Sequence, residues 1–509
     1  MGHPPAPVVV AVRKAHYGER MTHDRPSTEQ QRRVIVIGAG PAGISSAYYL
    51  REAGYTDVTV LERADEVGGT WQRNRYPGLA CDVMSHAYSF SFALNPNWTR
   101  SYAAQPEILA YMRDTVDRLG LRPFFRLGTG VRSAAWSDTD ASWTVVTDAG
   151  EELTAEVLIS GQGMFGELAI PVIEGRESFT GVAMHTGAWD ESLDLTGLRV
   201  AVIGSAASGV QSVPEIAKVA GQLHVFQRSA NWVLPKEDYE HPAEQLELFR
   251  SDPAALKAHR DMIMTFIGSN PPFGNPGILA GAEFAGVDAI AVVEDPEVRA
   301  KLRPSTPWGC LRPLFSNNYY PTFNRPNVEL VTDGISRITP TGIVTADGVE
   351  REVDVIVFAT GYRVDRFASR IPITGRNGIS LDEAWADGAQ AHLGITTSGF
   401  PNLFMLYGPN TNQGSLIAMI EFEAQYAVKM LQAMDAEDLD WVDVKPDVMA
   451  AYNETLQDAI SAVDVWHAGC SHYYLSPSGR IVTQYPYSMF TYRDAVAEPN
   501  LDEFELGHR

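Results

Sequence analysis

Cysteine is scarce in this chain. There are three in 509 residues, Cys81, Cys310 and Cys470, far apart in sequence, and this spacing leads us to expect neither a disulfide framework nor a zinc site. Long apolar runs are also missing: nothing approaches the roughly 18 residues of a membrane-spanning helix. Positive charge is in deficit, with 40 Lys and Arg against 63 Asp and Glu for a net charge of -23. Nucleic acid and anionic membrane are therefore poor partners, and any phosphate-bearing ligand must be held by local groups against an unfavourable overall field. Residues 1–32 carry an apolar patch too short for a secretory leader. They read as a tail, with Met21 as an alternative start, and the cytoplasm is the expected compartment. No low-complexity tract is present. What remains is ordinary for a globular protein, 45% apolar and 20% charged, with length for two to four domains.

The informative feature is the placement of glycine. VIVIGAGPAGISSAYYLREAG opens with four apolar strand formers, Val34 to Ile37. Gly38, Gly40 and Gly43 follow in GxGxxG spacing, then a helix-like run to Gly54. VTVLE comes next, and its Glu62 lies 19 residues after Gly43. Strand, tight turn, helix and ribose-binding acid are in register for a dinucleotide-binding βαβ unit. The pattern returns in LRVAVIGSAASGVQSVPEIAK, where Gly204 and Gly209 hold the outer positions and Ala206 the middle one. Its second strand, LHVFQR, ends in Arg228, 19 residues after Gly209. An acid at the first ribose end and a cation at the second suit FAD and NADPH in that order. Arg228 alone could be a solvated surface arginine, but the matched spacing favours a ligand. A disulfide reductase would also carry two such turns; it needs a close cysteine pair, which the spacing lacks.

Between the two units lies FTGVAMHTGAWD, residues 179 to 190, with no clean helical or strand period. It fits F-x-G-x-x-x-H-x-x-x-W-[PD] through Phe179, Gly181, His185, Trp189 and Asp190. That pattern resembles the signature of the type I Baeyer–Villiger monooxygenases, part of the class B flavoprotein monooxygenases. Further stretches are similar to family segments in the same order: GGTWQRNRYPGLACDVMSHAYSFSF, VFQRSANWVLP, WGCLRPLFSNNYYPTFNRPNVELV, FATGY and FPNLFMLYGPNTN. GCSHYYLSPSGRIVTQYP resembles the hydroxyacetophenone monooxygenase-like subgroup. The resemblance runs from residue 33 to about 495.

The resemblance implies an enzyme that inserts one oxygen atom of O2 beside a ketone carbonyl, by way of a flavin C4a-peroxide, to give an ester or lactone. Such chemistry needs a permanent cation beside the negative intermediate, and arginine keeps its proton in proteins. By resemblance that cation is Arg312 and Asp82 orients it; on its own residues Arg312 also reads as a buried salt-bridging side chain. His185 is implied to affect catalysis from the domain link, and it also reads as a structural hydrogen-bonder. FAD contacts are implied at Arg63, Gly69, Thr70, Trp71, Asp82, Tyr88, Val131 and Leu416, besides the first turn and Glu62. NADPH contacts are implied at Ser205, Ser208, Ser229 and Arg312, besides the second turn and Arg228. No metal is implied. Three departures weaken the case for NADPH over NADH: Ala206, Leu311 where the family usually has lysine, and Ala80 where its best-known members have arginine.

The expected fold is α/β, two Rossmann-like dinucleotide-binding domains with a helical insertion in the NADPH domain. The FAD domain is split, 33–163 and 394–509. The NADPH domain spans 164–393, with the insertion at about 236–308 roofing the substrate site. Within it, IGSNPPFGNPGILAG is expected to be a mobile loop. Two other functions stay open. One is a flavin monooxygenase acting on sulfur or nitrogen, which generally lacks the arginine and commonly ends the motif in Tyr or Phe. The other is a nucleotide-binding protein that has lost catalysis. The particular ketone and the oligomeric state are not legible.

Overall fold

Val34–Ile37 is the middle strand of a five-stranded parallel sheet and is buried along its whole length, hence four consecutive apolar residues and no alternation. The computed structural model describes residues 32–269, 272–364, 366–470 and 473–508; the tail and Met21 lie outside them. In sheet order the strands are Leu403–Met405, Val157–Ser160, Val34–Ile37, Val58–Leu61 and Phe125–Arg126. Four of them precede residue 163, and the fifth returns from beyond residue 400 to pair Leu403 with Leu158. The buried helix Leu416–Ala436 then packs on Pro41–Glu52, the helix that follows the first glycine turn.

A second five-stranded parallel sheet is built around Arg199–Ile203. Its order is Val328–Val331, Gln222–Phe226, Arg199–Ile203, Val355–Phe358, Val182–His185. The fold is thus α/β with two Rossmann-like units. The last of these strands is a correction. The 179–190 stretch shows no strand period, yet Val182–His185 pairs in parallel with Val355–Phe358 as an edge strand. Its first two residues are exposed and its last two buried, so no alternation is left to read. Gly181 is required by close approach: a β-carbon there would lie 2.3 Å from the Asp354 carbonyl oxygen and 2.6 Å from the Phe179 ring.

Between residues 236 and 308 the chain is helical: Ala243–Ser251, Pro253–Gly268, Pro276–Ile290 and Pro296–Lys301. Three of these begin in the same way, with an Asp or Asn cap followed by proline at the first helical position. Asp252 accepts from Ala254 N at 2.9 Å, Asn275 from Gly277 N at 2.9 Å and Asp295 from Glu297 N at 2.7 Å. The expected mobile loop is therefore shorter than the sequence suggests. From Pro276 onward the run is helix, because Asn-Pro starts one there; Asn270 and Pro271 lie outside the described residues. Among the described residues no helix is long and apolar enough to cross a membrane.

The insertion is pinned partly by imidazoles. His86 packs edge-on against His241 at 5.1 Å and His259 at 4.8 Å between ring centroids. Its Nε2 has no hydrogen-bond partner among the described residues. Burial, with the two neighbouring rings, pushes the His86 pKa down to about 3. The unfolded chain therefore takes up a proton below the ordinary imidazole value while the folded chain does not, and stability falls as pH drops from 6.5 towards 3. The slope for one such proton is about 1.4 kcal/mol per pH unit. In denaturant titrations at pH 6.5, 5.5 and 4.5, His86→Phe should lose stability less steeply than the parent by about that slope; equal slopes would exclude His86 as the source.

Candidate active site

The first glycine turn can be read one carbon at a time. Gly38 takes φ +100°, and a β-carbon on it would lie 2.6 Å from the Gly161 carbonyl oxygen. On Gly43 a β-carbon would lie 2.1 Å from the Gly38 carbonyl oxygen. Gly40 is different: its φ is -76° and its nearest contact would be Gly69 Cα at 3.5 Å, an ordinary distance. Protein packing does not demand glycine there, and the bare turn leaves its backbone open to close approach by a ligand. The helix after it has no side-chain cap and no acid in its first turn, so its leading N–H groups suit a phosphate. Glu62 accepts from Ala39 N at 2.8 Å and Ala64 N at 2.9 Å, which fixes its carboxylate at the mouth of the turn with lone pairs to spare for a ribose. Arg63 beside it is exposed. Its Cβ lies near Gly130, next to buried Val131 at the start of an antiparallel strand. These residues fit the pyrophosphate and ribose of a dinucleotide.

The second turn repeats the geometry. Gly204 takes φ +112° with a β-carbon 2.5 Å from the Ala359 carbonyl oxygen, and on Gly209 it would lie 2.3 Å from that of Gly204. Ala206 has φ -85° and ψ -164°, close to the -76° and -164° of Gly40, so its methyl is tolerated by the backbone. Arg228 is exposed at the end of the second strand and has no ion pair among the described residues. Ser205 and Ser229 face each other, Oγ to carbonyl oxygen, at 3.5 Å. Ser208 meets the Tyr76 hydroxyl. From the same helix Gln211 accepts from that hydroxyl at 2.9 Å and donates to the Ala80 carbonyl at 2.9 Å. The second turn is thereby tied to the loop that ends in Asp82.

Arg312 donates from Nη2 to Asp82 Oδ2 at 2.6 Å. Its backbone is held by a two-strand parallel ribbon, Val233–Leu234 with Leu314–Phe315. Amide side chains clamp both ends. Asn231 Nδ2 donates to the Arg312 carbonyl at 2.9 Å; Asn317 Nδ2 donates to the Lys236 carbonyl at 2.7 Å, and its Oδ1 accepts from Lys236 N at 2.8 Å. Lys236 Nζ then donates to the Cys81 carbonyl at 2.8 Å, above the Tyr102 ring at 4.4 Å. The ribbon thus grips the Cys81–Asp82 dipeptide twice, by side chain and by backbone.

Burial pushes the Asp82 carboxyl up, but the Arg312 charge and hydrogen bond, with Lys236 behind them, outweigh it and hold it below the usual carboxylate range. The Asp82 charge, partly opposed by burial, raises Arg312 well above its ordinary value. Burial lowers Lys236. The Arg312 and Asp82 side chains still keep 35% and 31% of their surface accessible, so the pair can meet a substrate. With Asp82 ionised and both cations protonated, the cluster carries one net positive charge.

Two phenols complete the surroundings of Arg312. Tyr473 accepts a hydrogen bond from it, and the Tyr407 phenol, kept neutral by burial, lies close by. Tyr407 takes φ +60°, a left-handed conformation, with its N–H bonded to Glu423 Oε2 at 2.6 Å. Burial pushes Glu423 up to about 8. Tyr473 also lines a cavity of roughly 310 Å³ with Tyr362, Val364 and Leu475.

His185 is not part of this cluster. Its Nδ1 accepts from Gly187 N at 2.9 Å, its ring lies 5.8 Å from that of Tyr362, and it faces the Gly361 backbone. Burial holds its pKa below the ordinary imidazole value, so it is neutral at pH 7. From Tyr362 a chain runs to the first turn. The Tyr362 hydroxyl donates to Asn74 Oδ1 at 2.6 Å, and Asn74 Nδ2 donates to the Thr70 carbonyl at 3.0 Å. Thr70 follows Gly69 at the start of the short helix Thr70–Arg73, so the link ends beside Gly40. Trp71 in that helix donates to the Tyr88 hydroxyl at 3.0 Å. Leu416 opens the helix that packs on Pro41–Glu52, and Ser415 before it donates to the Ala87 carbonyl at 2.8 Å. Lys236, Tyr407, Tyr473 and Gln211 were not singled out from sequence, although each lies in or beside a stretch that was; nothing local marks them, because their partners are distant in the chain.

One bond contradicts expectation outright. Cys310 and Cys470 form a disulfide with Cα atoms 6.0 Å apart across 160 residues of sequence. Spacing reveals only locally paired cysteines; here the fold brings two remote loops together. Cys81 is free and buried.

The pyridine nucleotide-disulphide oxidoreductase family model matches residues 35–247. A Baeyer-Villiger monooxygenase of Pseudomonas aeruginosa is 39% identical over 95% of this chain and 93% of its own length. Among solved structures, an oxidized steroid monooxygenase bound to NADP is 32% identical, with TM-score 0.85 over 94% of this chain and 99% of its own. OTEMO in complex with FAD and NADP is 28% identical, with TM-score 0.85 over 94% of this chain and 100% of its own.

Proposed function

This chain belongs to the Baeyer–Villiger monooxygenases, and on that premise we propose that Arg312 is the cation against which a ketone is oxygenated to an ester or lactone. The cofactors are FAD and NADPH, and the partners are a small molecule and O2. When bound, FAD would supply the redox chemistry, taking up hydride from the nicotinamide and passing the electrons to O2. The observation that carries the proposal is the 2.6 Å Arg312–Asp82 pair with Lys236 locked behind it. Arginine keeps its proton, so a fixed donor meets the negative charge developing on the attacked carbonyl oxygen without reorganising. Asp82 sets the plane of the guanidinium. Lys236 holds the Cys81 carbonyl just before Asp82 and keeps the cluster net positive.

The N–H groups at the first helix start hold the FAD pyrophosphate and Glu62 its ribose; the second turn holds NADPH, with Arg228 at the 2'-phosphate. His185 acts through Tyr362, Asn74 and Thr70 on the position of the first turn, and is a positioning residue. We further propose that the FAD domain, 33–163 with 394–509, is split around an NADPH domain, 164–393, and that the protein works in the cytoplasm. Product analysis on a panel of ketones and sulfides, with each nicotinamide cofactor, tests the reading: esters or lactones from ketones support it, and sulfoxides without any ester would replace it with heteroatom oxygenation. A charged pair to the 2'-phosphate is worth about tenfold or more in binding. Arg228→Ala should therefore lower the NADPH-to-NADH preference in flavin reduction by about that factor; an unchanged ratio would remove Arg228 from the phosphate site.

A further inference from the structure

The disulfide joins two short loops that also meet through the reactive cation. Cys310 is two residues before Arg312, and Cys470 is three residues before Tyr473. Arg312 donates to the Tyr473 hydroxyl. One covalent bond and one hydrogen bond therefore tie the Cys310–Arg312 segment to Cys470 and to Tyr473. The junction is packed as well. Phe273 of the insertion stacks on Trp308 at 5.5 Å and meets Trp466 at 5.6 Å. Gly309 takes φ +91°, where a β-carbon would lie 2.6 Å from the Phe273 ring. Three separate parts of the chain meet here, and the bridge is the only covalent link between them besides the backbone among the described residues. Cys310 is fully buried and Cys470 only partly so, which makes Cys470 the more accessible residue of the pair.

We propose that Cys310 and Cys470 form a reversible thiol–disulfide pair whose oxidised form holds Tyr473 against Arg312 and so couples NADPH use to oxygenation. The inference rests on the reading of Arg312 as the oxygenation cation. The oxidant is hydrogen peroxide, which this enzyme class itself releases when oxygenation fails: NADPH, a proton and O2 give NADP+ and H2O2. The Cys470 thiolate attacks one peroxide oxygen, the O–O bond breaks, and hydroxide leaves to give a sulfenic acid. The Cys310 thiol then displaces that oxygen as water and forms the S–S bond. In sum, two thiols and H2O2 give one disulfide and two waters. A small-molecule thiol reverses it by exchange, two RSH becoming RSSR as both cysteines regain their hydrogens. Disulfides in reducing compartments are mostly of this transient, sensing kind. Leakage would thereby close the bridge that suppresses leakage.

The test uses the FAD-loaded wild-type enzyme, split into peroxide-oxidised and thiol-reduced pools and desalted. Thiols counted in denaturant should be one in the oxidised pool, Cys81, and three in the reduced pool. Flavin reduction by NADPH should agree between pools within about twofold. The ratio of ester to H2O2 should fall about fivefold or more on reduction, recover on reoxidation, and stay low under both treatments in Cys470→Ser. Peptide mapping that never joins Cys310 to Cys470 overturns the proposal, and so does a joined pair with the same ratio in both pools. Arg312→Ala run alongside separates the two readings: a wild-type ratio there sinks the role of Arg312, while the thiol count and the mapping still report on the bridge.

Discussion

Arg312→Ala should leave flavin reduction by NADPH measurable while ester formation falls by about 10²–10³-fold, the usual cost of losing one preorganised donor at a developing oxyanion. Hydride transfer needs only the flavin, the nicotinamide and their alignment. The reducing equivalents should instead appear as hydrogen peroxide. The geometry sharpens the expectation for neighbouring variants. Asp82→Ala removes the 2.6 Å partner of the guanidinium but leaves the Asn231 bond to the Arg312 backbone, so the same uncoupling should appear at about tenfold. Arg312→Lys should rescue poorly, because an ammonium lacks the planar fork that reaches Asp82 and substrate together. The measurement is ester and peroxide formed per NADPH consumed. An Arg312→Ala enzyme with the parental ratio on a good ketone would make the mechanism wrong.

Gly40→Val should yield a folded but colourless protein. Gly38 and Gly43 would each drive a β-carbon into a carbonyl oxygen of the protein, at 2.6 and 2.1 Å, so changes there damage the turn itself. Gly40 has a compatible φ and a β-carbon there would meet its first protein atom at 3.5 Å, so the added side chain is expected to meet the pyrophosphate rather than the protein. Losing even one or two charge-assisted N–H bonds to phosphate costs roughly 1.5–3 kcal/mol each, or about 10²-fold or more in affinity together. Flavin absorbance after gel filtration, read beside thermal unfolding, separates the cases. Full flavin content would remove this turn from the FAD site, and an unfolded variant would mean that the turn is more tightly packed than its contacts indicate.

Much of the fold was open to inference because its signals are local. A glycine turn, its flanking strand and the acid 19 residues on lie within one βαβ unit, and the physics that selects them acts over that span. The helical insertion was legible too, although Pro253, read from the sequence only as a break, starts a helix behind the Asp252 cap. At Pro276 the surrounding glycine suggests a loop. Val182–His185 was hidden because an edge strand entering the core partway has no alternation to show. The surroundings of Arg312 were hidden for another reason. They come from residues 81–82, 236, 407 and 473, and nothing in any one segment states that it will meet the others. Resemblance supplied Arg312 and Asp82; Lys236, the two phenols and the Cys310–Cys470 bond emerged only from the folded arrangement.

The first sheet takes its outermost strand, Leu403–Met405, from far beyond the other four, while every strand of the second sheet lies between Val182 and Phe358. A ribosome therefore delivers the second sheet whole while the first still lacks an edge. Until residue 405 emerges, Val157–Ser160 waits with one side of its backbone unpaired, and the helix that packs on Pro41–Glu52 has not been made. In order of synthesis, the second sheet has all of its strands before the first, begun earliest, receives its last.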